Sequence, residues 1–138
     1  MIDPLTASAR LASAGMEVQS LRLRVVAENI ANAQSTGVDP GSDPYQRKTI
    51  TFRSELDRAA GAATVGVREI GVDRAPFRVE HEPGNPAADE NGDVKYPNVN
   101  VLIEMTDMRE ANRSYEANLQ MIKQARALVA SVIDLLKS

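Results

Sequence analysis

The chain has 138 residues, of which 43% are hydrophobic, 25% are charged and only 4% are aromatic, and its formal net charge is −3. This length fits one modest domain or a small domain with extended arms, and the charge gives no electrostatic reason to expect nucleic acid or an anionic membrane surface as a partner. The absence of Cys excludes disulfides, thiolate metal sites and cysteine nucleophiles.

The N-terminus lacks the pattern of a secretory signal peptide. It begins MIDPLTASARLASAGMEVQS, with no basic segment followed by an apolar core. No run of about 18 apolar residues occurs elsewhere in the chain, which predicts that nothing inserts directly into a membrane. We therefore expect any export to proceed without a cleaved signal peptide.

Gly and Pro divide the chain into three segments. Residues 5–33 contain no Pro and one Gly, residues 37–98 contain every remaining Gly and all but one Pro, and residues 99–138 contain neither. Because Gly and Pro interrupt helices, this distribution predicts a helix in residues 1–36, a small β-rich and loop module in residues 37–98, and a second helix in residues 99–138.

The first helix should begin with Asp3 as its N-cap and Pro4 in its first turn, and end near Ala33, before Gly37. Two apolar stripes follow the spacing of a helix. Their members are Leu11, Ala14, Val18, Leu21 and Val25 in one stripe, and Ala9, Ala12, Met16, Leu23, Val26 and Ile30 in the other. Met16 and Val18 lie about 200° apart around the helix, so we expect two apolar faces, which need more than one neighbour.

The middle segment should form strands and turns. The runs TITF (49–52), VGVREIGV (65–72) and FRVEHEP (77–83) are rich in β-branched and aromatic residues or alternate apolar with polar residues. Residues 83–98, PGNPAADENGDVKYPN, are dense in turn formers and predict a loop. A segment of this size forms at most a small β module.

The last helix carries two apolar seams. The first, in which only Asn112 and Arg126 are polar, runs through Val101, Met105, Met108, Asn112, Tyr115, Leu119, Ile122, Arg126, Val129, Ile133 and Leu136. The second runs through Ala111, Ser114, Asn118, Met121, Ala125, Leu128, Val132 and Leu135. Since each buried Leu, Ile or Val contributes roughly 1.5–3 kcal/mol, both sides of this helix should be covered.

Together these elements predict an α+β fold. The long N- and C-terminal helices would pair as an antiparallel, coiled-coil-like arm, with the small β-rich module inserted between them in the sequence. One stripe of each helix would pack within the pair, and the second stripes would contact other subunits. Long helices with uncovered stripes favour a structural subunit of a helical assembly over an enzyme.

Several segments resemble a known family. Residues 27–37, AENIANAQSTG, resemble the N-terminal motif of flagellar rod and hook proteins, with an Asn- and Ala-rich helix end followed by a Thr-Gly turn. The segments DPYQRKTITF (43–52), PGNPAADENGDVKYPNVNV (83–101) and EMTDMREANRSYEANLQMIKQARALV (104–129) are similar to proximal rod members of that family. The resemblance covers both helices and the joining loops.

This resemblance implies a structural, non-enzymatic subunit of the bacterial flagellar basal body. Such a protein polymerises through its terminal helices into the periplasmic proximal rod, with the middle module facing outward, and transmits torque to the hook. Its expected partners are copies of itself, other flagellar rod proteins and, during secretion without a cleaved signal peptide, the flagellar type III export apparatus. No cofactor is expected.

Subunit-interface residues are expected on both helices. In the first helix they are Leu11, Val18, Leu21, Leu23, Val25, Asn29, Ile30 and Asn32. In the last helix they are Met108, Tyr115, Leu119, Ile122, Leu128, Val129, Val132, Ile133 and Leu136. The two amide side chains, Asn29 and Asn32, also have the chemistry to cap the end of the first helix.

The sequence predicts no catalytic residue and no metal ligand. His81, the single His, is flanked by two Glu residues, but adjacent strand residues point to opposite faces and cannot easily converge. Asp89, Asn91 and Asp93 resemble part of a calcium loop, but Gly92 stands fourth where that motif needs Gly sixth. We expect an exposed His and a turn-forming loop instead.

A mildly basic region surrounds the first loop and comprises Arg22, Arg24, Arg47, Lys48 and Arg53. It could contact acidic neighbours or peptidoglycan, since Arg makes bidentate contacts with carboxylates. It could equally form a solvated face. The sequence leaves both interpretations open.

Two other functions are compatible with parts of the sequence. A soluble helical adaptor or export chaperone would bind through one helix face, and would be a stable monomer or dimer outside any large assembly. A small hydrolase would use paired carboxylates such as Asp89 and Glu90, but the sequence supplies no nucleophile–base pair to go with them.

Overall fold

The computed structural model, which describes residues 3–138, contains two long helices and, between them in the sequence, two small antiparallel sheets. In chain order the elements are α1 (Pro4–Ala31), β1 (Lys48–Asp57), β2 (Ala62–Val72), β3 (Arg78–His81), β4 (Asp93–Tyr96) and α2 (Val101–Lys137). The predicted α+β class is confirmed. Residues 1 and 2 of the first predicted segment lie outside the described residues.

Helix α1 begins as its sequence predicts. The Asp3 carboxylate accepts a hydrogen bond from the Leu5 backbone N–H at 3.2 Å and another from the Thr6 hydroxyl at 3.2 Å. These bonds satisfy donors that have no partner within a first helical turn. The helix ends at Ala31, slightly before the expected Ala33, and the Asn32 amide donates back to the Glu28 carbonyl at 2.8 Å.

Helix α2 is also capped by a polar side chain. The Asn100 carboxamide oxygen accepts from the Leu102 N–H at 3.1 Å and from the Ile103 N–H at 3.5 Å. The helix then continues for 37 residues, or about 55 Å, with no Gly or Pro in residues 101–137. Most of the stability of such a helix comes from packing one face rather than from intrinsic propensity.

Strands β1 and β2 form a hairpin that is longer than the run TITF indicated. The Asp57 carboxylate closes the turn by accepting from the N–H groups of Ala59 at 2.9 Å and Ala60 at 3.1 Å. Gly61 follows with a φ of +65°, a left-handed conformation that glycine adopts without a steric penalty. Local side-chain chemistry therefore fixes the position of this turn.

Strand β4 corrects the expectation that residues 83–98 are entirely loop. Residues 93–96 pair with β3 in antiparallel register, with Arg78 opposite Tyr96 and His81 opposite Asp93. Val94 is fully buried, so one apolar residue anchors a strand of only four residues. The turn formers occupy the connection before it, where Gly92 has a φ of +82°.

The described chain divides into two compact units. Unit 1 contains residues 3–23, 51–69 and 109–138, and unit 2 contains Arg24–Ile50 and Ile70–Met108. In unit 1, Gly15 faces Asn118 so closely that a Cβ added to Gly15 would lie 2.6 Å from the Asn118 amide nitrogen.

The helices run antiparallel in unit 1. Besides the close approach of Gly15 and Asn118, the Arg22 guanidinium lies 3.3 Å from the Glu110 carboxylate. Moving from Gly15 to Arg22 along α1 therefore corresponds to moving back from Asn118 to Glu110 along α2, which is an antiparallel alignment. Gly15 supplies the small surface that allows this close helix approach.

The packing corrects the expectation of separate apolar faces. Ala12 and Val18, which belong to different stripes of α1, are both buried in unit 1. In unit 2 the same holds for Val25 and Val26. Because a packed helix buries a face at least about 100° wide, both stripes contribute to one broad face and do not separate into a covered side and an uncovered side.

Candidate assembly surface

The two most deeply buried polar residues, Asn29 and Glu104, lie in unit 2. Together with the half-buried Tyr45, Arg47 and Lys48 they form what we term the polar junction. Asn29 is 1% exposed and Glu104 is 0% exposed. The Asn29 amide donates to the Lys48 carbonyl at 2.9 Å and to the Glu104 carboxylate at 3.0 Å. Its carboxamide oxygen accepts from the Lys48 N–H at 2.9 Å and from the Tyr45 hydroxyl at 2.8 Å. One amide thereby joins the end of α1, the start of β1 and the start of α2.

Arg47 supplies the positive charge for the buried Glu104. Its Nε donates to the Glu104 carboxylate, and its terminal nitrogens lie 3.5 Å from the Asp73 carboxylate and 3.9 Å from that of Asp107. Partial burial acts to lower the pKa of the Arg47 guanidinium, but the hydrogen bond and charge of Glu104, with Asp73 and Asp107, outweigh it and raise that pKa above its ordinary value. Glu104 is thus buried as one half of a hydrogen-bonded ion pair, as a buried carboxylate must be.

Most members of the predicted basic region form ion pairs within the chain. The Lys48 ammonium lies 2.6 Å from the Glu28 carboxylate, and this hydrogen bond raises the pKa of Lys48. The guanidinium of Arg53 pairs with Glu55, as Arg22 does with Glu110. These cations are therefore engaged by neighbouring carboxylates of their own unit.

The C-terminal part of α2, residues 128–136, exposes a continuous set of large apolar side chains, which we term the α2 end. Its exposed members are Leu128, Val129, Val132, Ile133, Leu135 and Leu136, the last of which is 82% exposed. Gly15 lies opposite Asn118 in this antiparallel pair, so Pro4, which precedes Gly15 in α1, lies level with about residue 129, which follows Asn118 in α2. Most of the α2 end therefore extends past the described start of α1.

The expected interface residues fall into three groups by exposure in a single copy. The buried ones are Val18, Val25 and Asn29. The half-buried ones are Leu11, Leu21, Leu23, Ile30, Asn32, Met108, Tyr115, Leu119 and Ile122. The exposed ones are Leu128, Val129, Val132, Ile133 and Leu136. Only this last group presents large apolar surface without a change in the fold of one copy.

Glu104 was not among the residues predicted from the sequence, and Arg47 was predicted only as part of a general basic region. A usable signal was present, because Glu104 begins a row of every seventh residue that continues through Ala111, Asn118 and Ala125. Ala111 and Ala125 are buried and Asn118 is half-buried. A carboxylate at one position of a buried row indicates a buried partner of opposite charge.

The remaining polar candidates have structural roles. His81 is exposed as expected, and its Nδ1 lies 2.9 Å from the Asp93 carboxylate across the β3–β4 pair. The Asp89 carboxylate accepts from the N–H groups of Asp93 at 3.0 Å and Asn91 at 2.8 Å, which confirms the turn-forming interpretation of this loop. The Asp93 bond is the main reason why the pKa of Asp89 lies below its ordinary value.

Neither a metal site nor a membrane span is found in the part of the chain that the structure describes. Within residues 3–138, no group of three or more His, Cys, Asp or Glu side chains is placed to hold a metal ion. No helix in the same range combines the length and apolar character needed to cross a bilayer. The features that stand out are therefore the polar junction and the α2 end.

Comparison with known proteins identifies the family. Residues 90–135 match the family described as flagellar basal body rod FlgEFG protein C-terminal. Over 137 residues, 99% of each chain, the protein is 66% identical to the flagellar basal-body rod protein FlgC of Agrobacterium fabrum. This chain belongs to the FlgC family of flagellar basal-body rod proteins.

More distant FlgC proteins show the same extended similarity. The FlgC of Salmonella typhimurium is 40% identical over 127 residues, which cover 91% of this chain and 92% of the relative. The FlgC of Borreliella burgdorferi is 34% identical over 151 aligned positions, which cover 96% of this chain and 98% of the relative. Membership in the FlgC family confirms the resemblance described above and the interpretation that the chain is structural and not an enzyme.

Proposed function

We propose that this chain is a subunit of the flagellar proximal rod that polymerises through its terminal helices into the periplasmic shaft and transmits torque to the hook. The observation that carries the proposal is the exposed apolar α2 end, since a lone copy leaves six large apolar side chains in contact with water over residues 128–136. The relatives named as basal-body rod proteins support the same location for this chain.

The energetics favour a partner for the α2 end. Each Leu, Ile or Val transferred from water to an apolar contact contributes roughly 1.5–3 kcal/mol. Contiguous exposed apolar surface of this kind marks interaction sites in soluble proteins. A neighbouring subunit that covers residues 128–136 would therefore gain free energy of the same order as the cost of association, which is about 4–15 kcal/mol.

We further propose that the helical segments and the middle segment have different roles in the rod. Residues 1–36 and 99–138 would make the contacts with copies of the same chain and with other flagellar rod proteins, and residues 37–98 would face outward. Before assembly the chain would pass through the flagellar type III export apparatus without a cleaved signal peptide. The absence of Cys is compatible with this route, because folding after export then needs no disulfide chemistry.

The proposal is tested by placing a charge on the α2 end in the source bacterium. Val132→Asp and Ile133→Asp change exposed residues, so the fold of one copy should be retained while burial of a carboxylate at a subunit contact becomes costly. Basal bodies purified from each strain should lack the variant by mass spectrometry, and motility should be lost. Gln120→Asp is the matched control, since Gln120 is exposed outside the α2 end.

Two results would contradict the proposal. Intact rods and normal motility in both aspartate variants would show that the α2 end makes no essential contact. A chain that is abundant in the cytosol and absent from purified basal bodies would instead favour the soluble adaptor or export chaperone, which binds partners without entering a large assembly.

A further inference from the structure

The apolar pattern of α2 does not by itself define where α2 lies along α1. One row, at every seventh residue, contains Glu104, Ala111, Asn118, Ala125 and Val132; a second contains Val101, Met108, Tyr115, Ile122, Val129 and Leu136. Every member of the second row is apolar or aromatic, and the first row alternates polar residues with alanine before Val132. A displacement of α2 by one heptad would therefore present a closely similar surface to α1.

In one direction this displacement would bury more apolar surface in a lone copy. Moving α2 by seven residues, about 10 Å, would put Ala125 where Asn118 now faces Gly15, and would bring Leu136 level with the described start of α1. The α2 end would then be covered. At the other end of α2, Leu102 and Ile103 would lose little burial, because they are already 75% and 54% exposed, whereas the contact between Asp107 and Arg47 would be broken.

The polar junction opposes the displaced register. In the observed register, the Asn29 amide donates to the Glu104 carboxylate at 3.0 Å, and Arg47 pairs with the same carboxylate. After the displacement Ala111 would take the place of Glu104, and its methyl group can accept no hydrogen bond. A donor of the buried Asn29 would lose its partner, which costs free energy comparable to a hydrogen bond or more.

We propose that the Asn29–Glu104–Arg47 contact is a register lock, which holds α2 where its apolar end stays available to a neighbouring subunit. This deepens the proposed rod function and rests on it, since the benefit of an uncovered α2 end is assembly. A single buried polar contact is known to fix helix register at some cost in stability. The lock selects the assembly-competent pairing over one that buries more of its own apolar surface.

The test compares two substitutions at Glu104. Glu104→Leu removes the polar contact, and Arg47 keeps the Asp73 carboxylate as a partner in either register, because Asp73 does not lie on α2. Glu104→Gln retains an oxygen that can accept from Asn29. Glu110→Leu is the matched control, since Glu110 is another α2 glutamate with a partner on α1 but an exposed side chain.

Engineered disulfides report the register in the isolated chain, which contains no competing Cys. The pair Gly15→Cys with Asn118→Cys reports the observed register, and the pair Gly15→Cys with Ala125→Cys reports the displaced one. Disulfides need Cα atoms within about 7 Å, so neither pair reports the other register. Amide hydrogen exchange of residues 128–136, in chains without Cys, gives a second readout.

Glu104→Leu should form the Gly15–Ala125 disulfide in a yield comparable with the Gly15–Asn118 disulfide, and exchange in residues 128–136 should slow because α1 covers them. The unchanged chain, Glu104→Gln and Glu110→Leu should form only the Gly15–Asn118 disulfide. Formation of only that disulfide in Glu104→Leu, or of both in every chain, would overturn the proposal. So would cooperative unfolding that is lost in Glu104→Leu but kept in Glu104→Gln, which would make Glu104 a stability determinant. The assay involves no assembly, so its failure would leave the proposed rod function standing.

Discussion

Replacing Arg47 by Ala tests whether the polar junction depends on charge pairing. The Glu104 side chain is 1% exposed and takes its positive partner from Arg47. Arg47→Ala would leave a buried carboxylate with only the Asn29 hydrogen bond at 3.0 Å. Removing one partner of a buried pair costs roughly 3–5 kcal/mol. Because the Arg47 side chain is itself 23% exposed, water can enter the vacated space, and we expect the lower end of that range.

Urea unfolding followed by far-UV circular dichroism and by tyrosine fluorescence measures this loss. Tyrosine is a usable probe because the chain has no Trp and Tyr45 belongs to the junction. With an m-value of roughly 1–3 kcal/mol per M for a small protein, the midpoint should fall by about 1–3 M. The matched control is Arg53→Ala, whose ion pair with Glu55 is 56% and 42% exposed on the two sides, and which should cost about 0–1 kcal/mol.

A small effect would refute this reasoning. If Arg47→Ala and Arg53→Ala lowered the free energy of unfolding equally, within about 1 kcal/mol, the Glu104 carboxylate would have to be solvated or protonated without Arg47. The description of Glu104 as a buried, charge-paired group would then be wrong.

Three further predictions concern local features. Asp3→Ala should destabilise the start of α1 by about 1 kcal/mol through loss of the cap to Leu5, and thermal unfolding should show a lower Tm; Asp3→Asn, which keeps an acceptor, should not. Gly15→Ala should change the free energy of unfolding by less than about 1 kcal/mol, because the added Cβ meets the carboxamide of the Asn118 side chain, which can rotate away, and alanine favours a helix over glycine by about 1 kcal/mol. A urea midpoint lowered by more than about 1 M would show instead that the helices cannot separate there. The Asp89 carboxyl, with its pKa held low mainly by the Asp93 N–H, should titrate by NMR below the ordinary value. Its stabilising contribution is then present above the unfolded-state pKa and is lost as the pH falls through the folded-state pKa. A pKa of Asp89 equal to the ordinary value would count against the hydrogen bonds described for this turn.

The parts of the fold that follow local rules could be predicted from the sequence. The N-cap at Asp3 and the Gly- and Pro-free helices depend on neighbouring residues alone, and both helices lie where the composition places them. Strand β4 was missed because its pairing with β3 depends on a partner across a turn-rich connection. Four residues give too short an alternation to stand out from that connection.

The candidate site was predictable only in part. The apolar content of the helices predicts that they contact other subunits. The position of the exposed apolar surface at the α2 end, however, follows from the unequal lengths of α1, with 28 residues, and α2, with 37. The burial of Glu104 depends on Arg47, which is 57 positions away in the sequence. A single sequence shows such a contact only through its periodicity, and the broad face shared by both stripes cannot be told from two faces until the helices are packed.

The way in which Asn29 holds the start of β1 also bears on which substitutions this protein tolerates. Asn29 binds the peptide N–H and carbonyl of residue 48 rather than its side chain. Any residue except Pro, which lacks the N–H, keeps both bonds at position 48, and the exposed ion pair with Glu28 that it forfeits is worth little. Position 29 instead requires a short side chain with both a donor and an acceptor. Surface chemistry at residue 48 can therefore diversify among relatives without disturbing the interior.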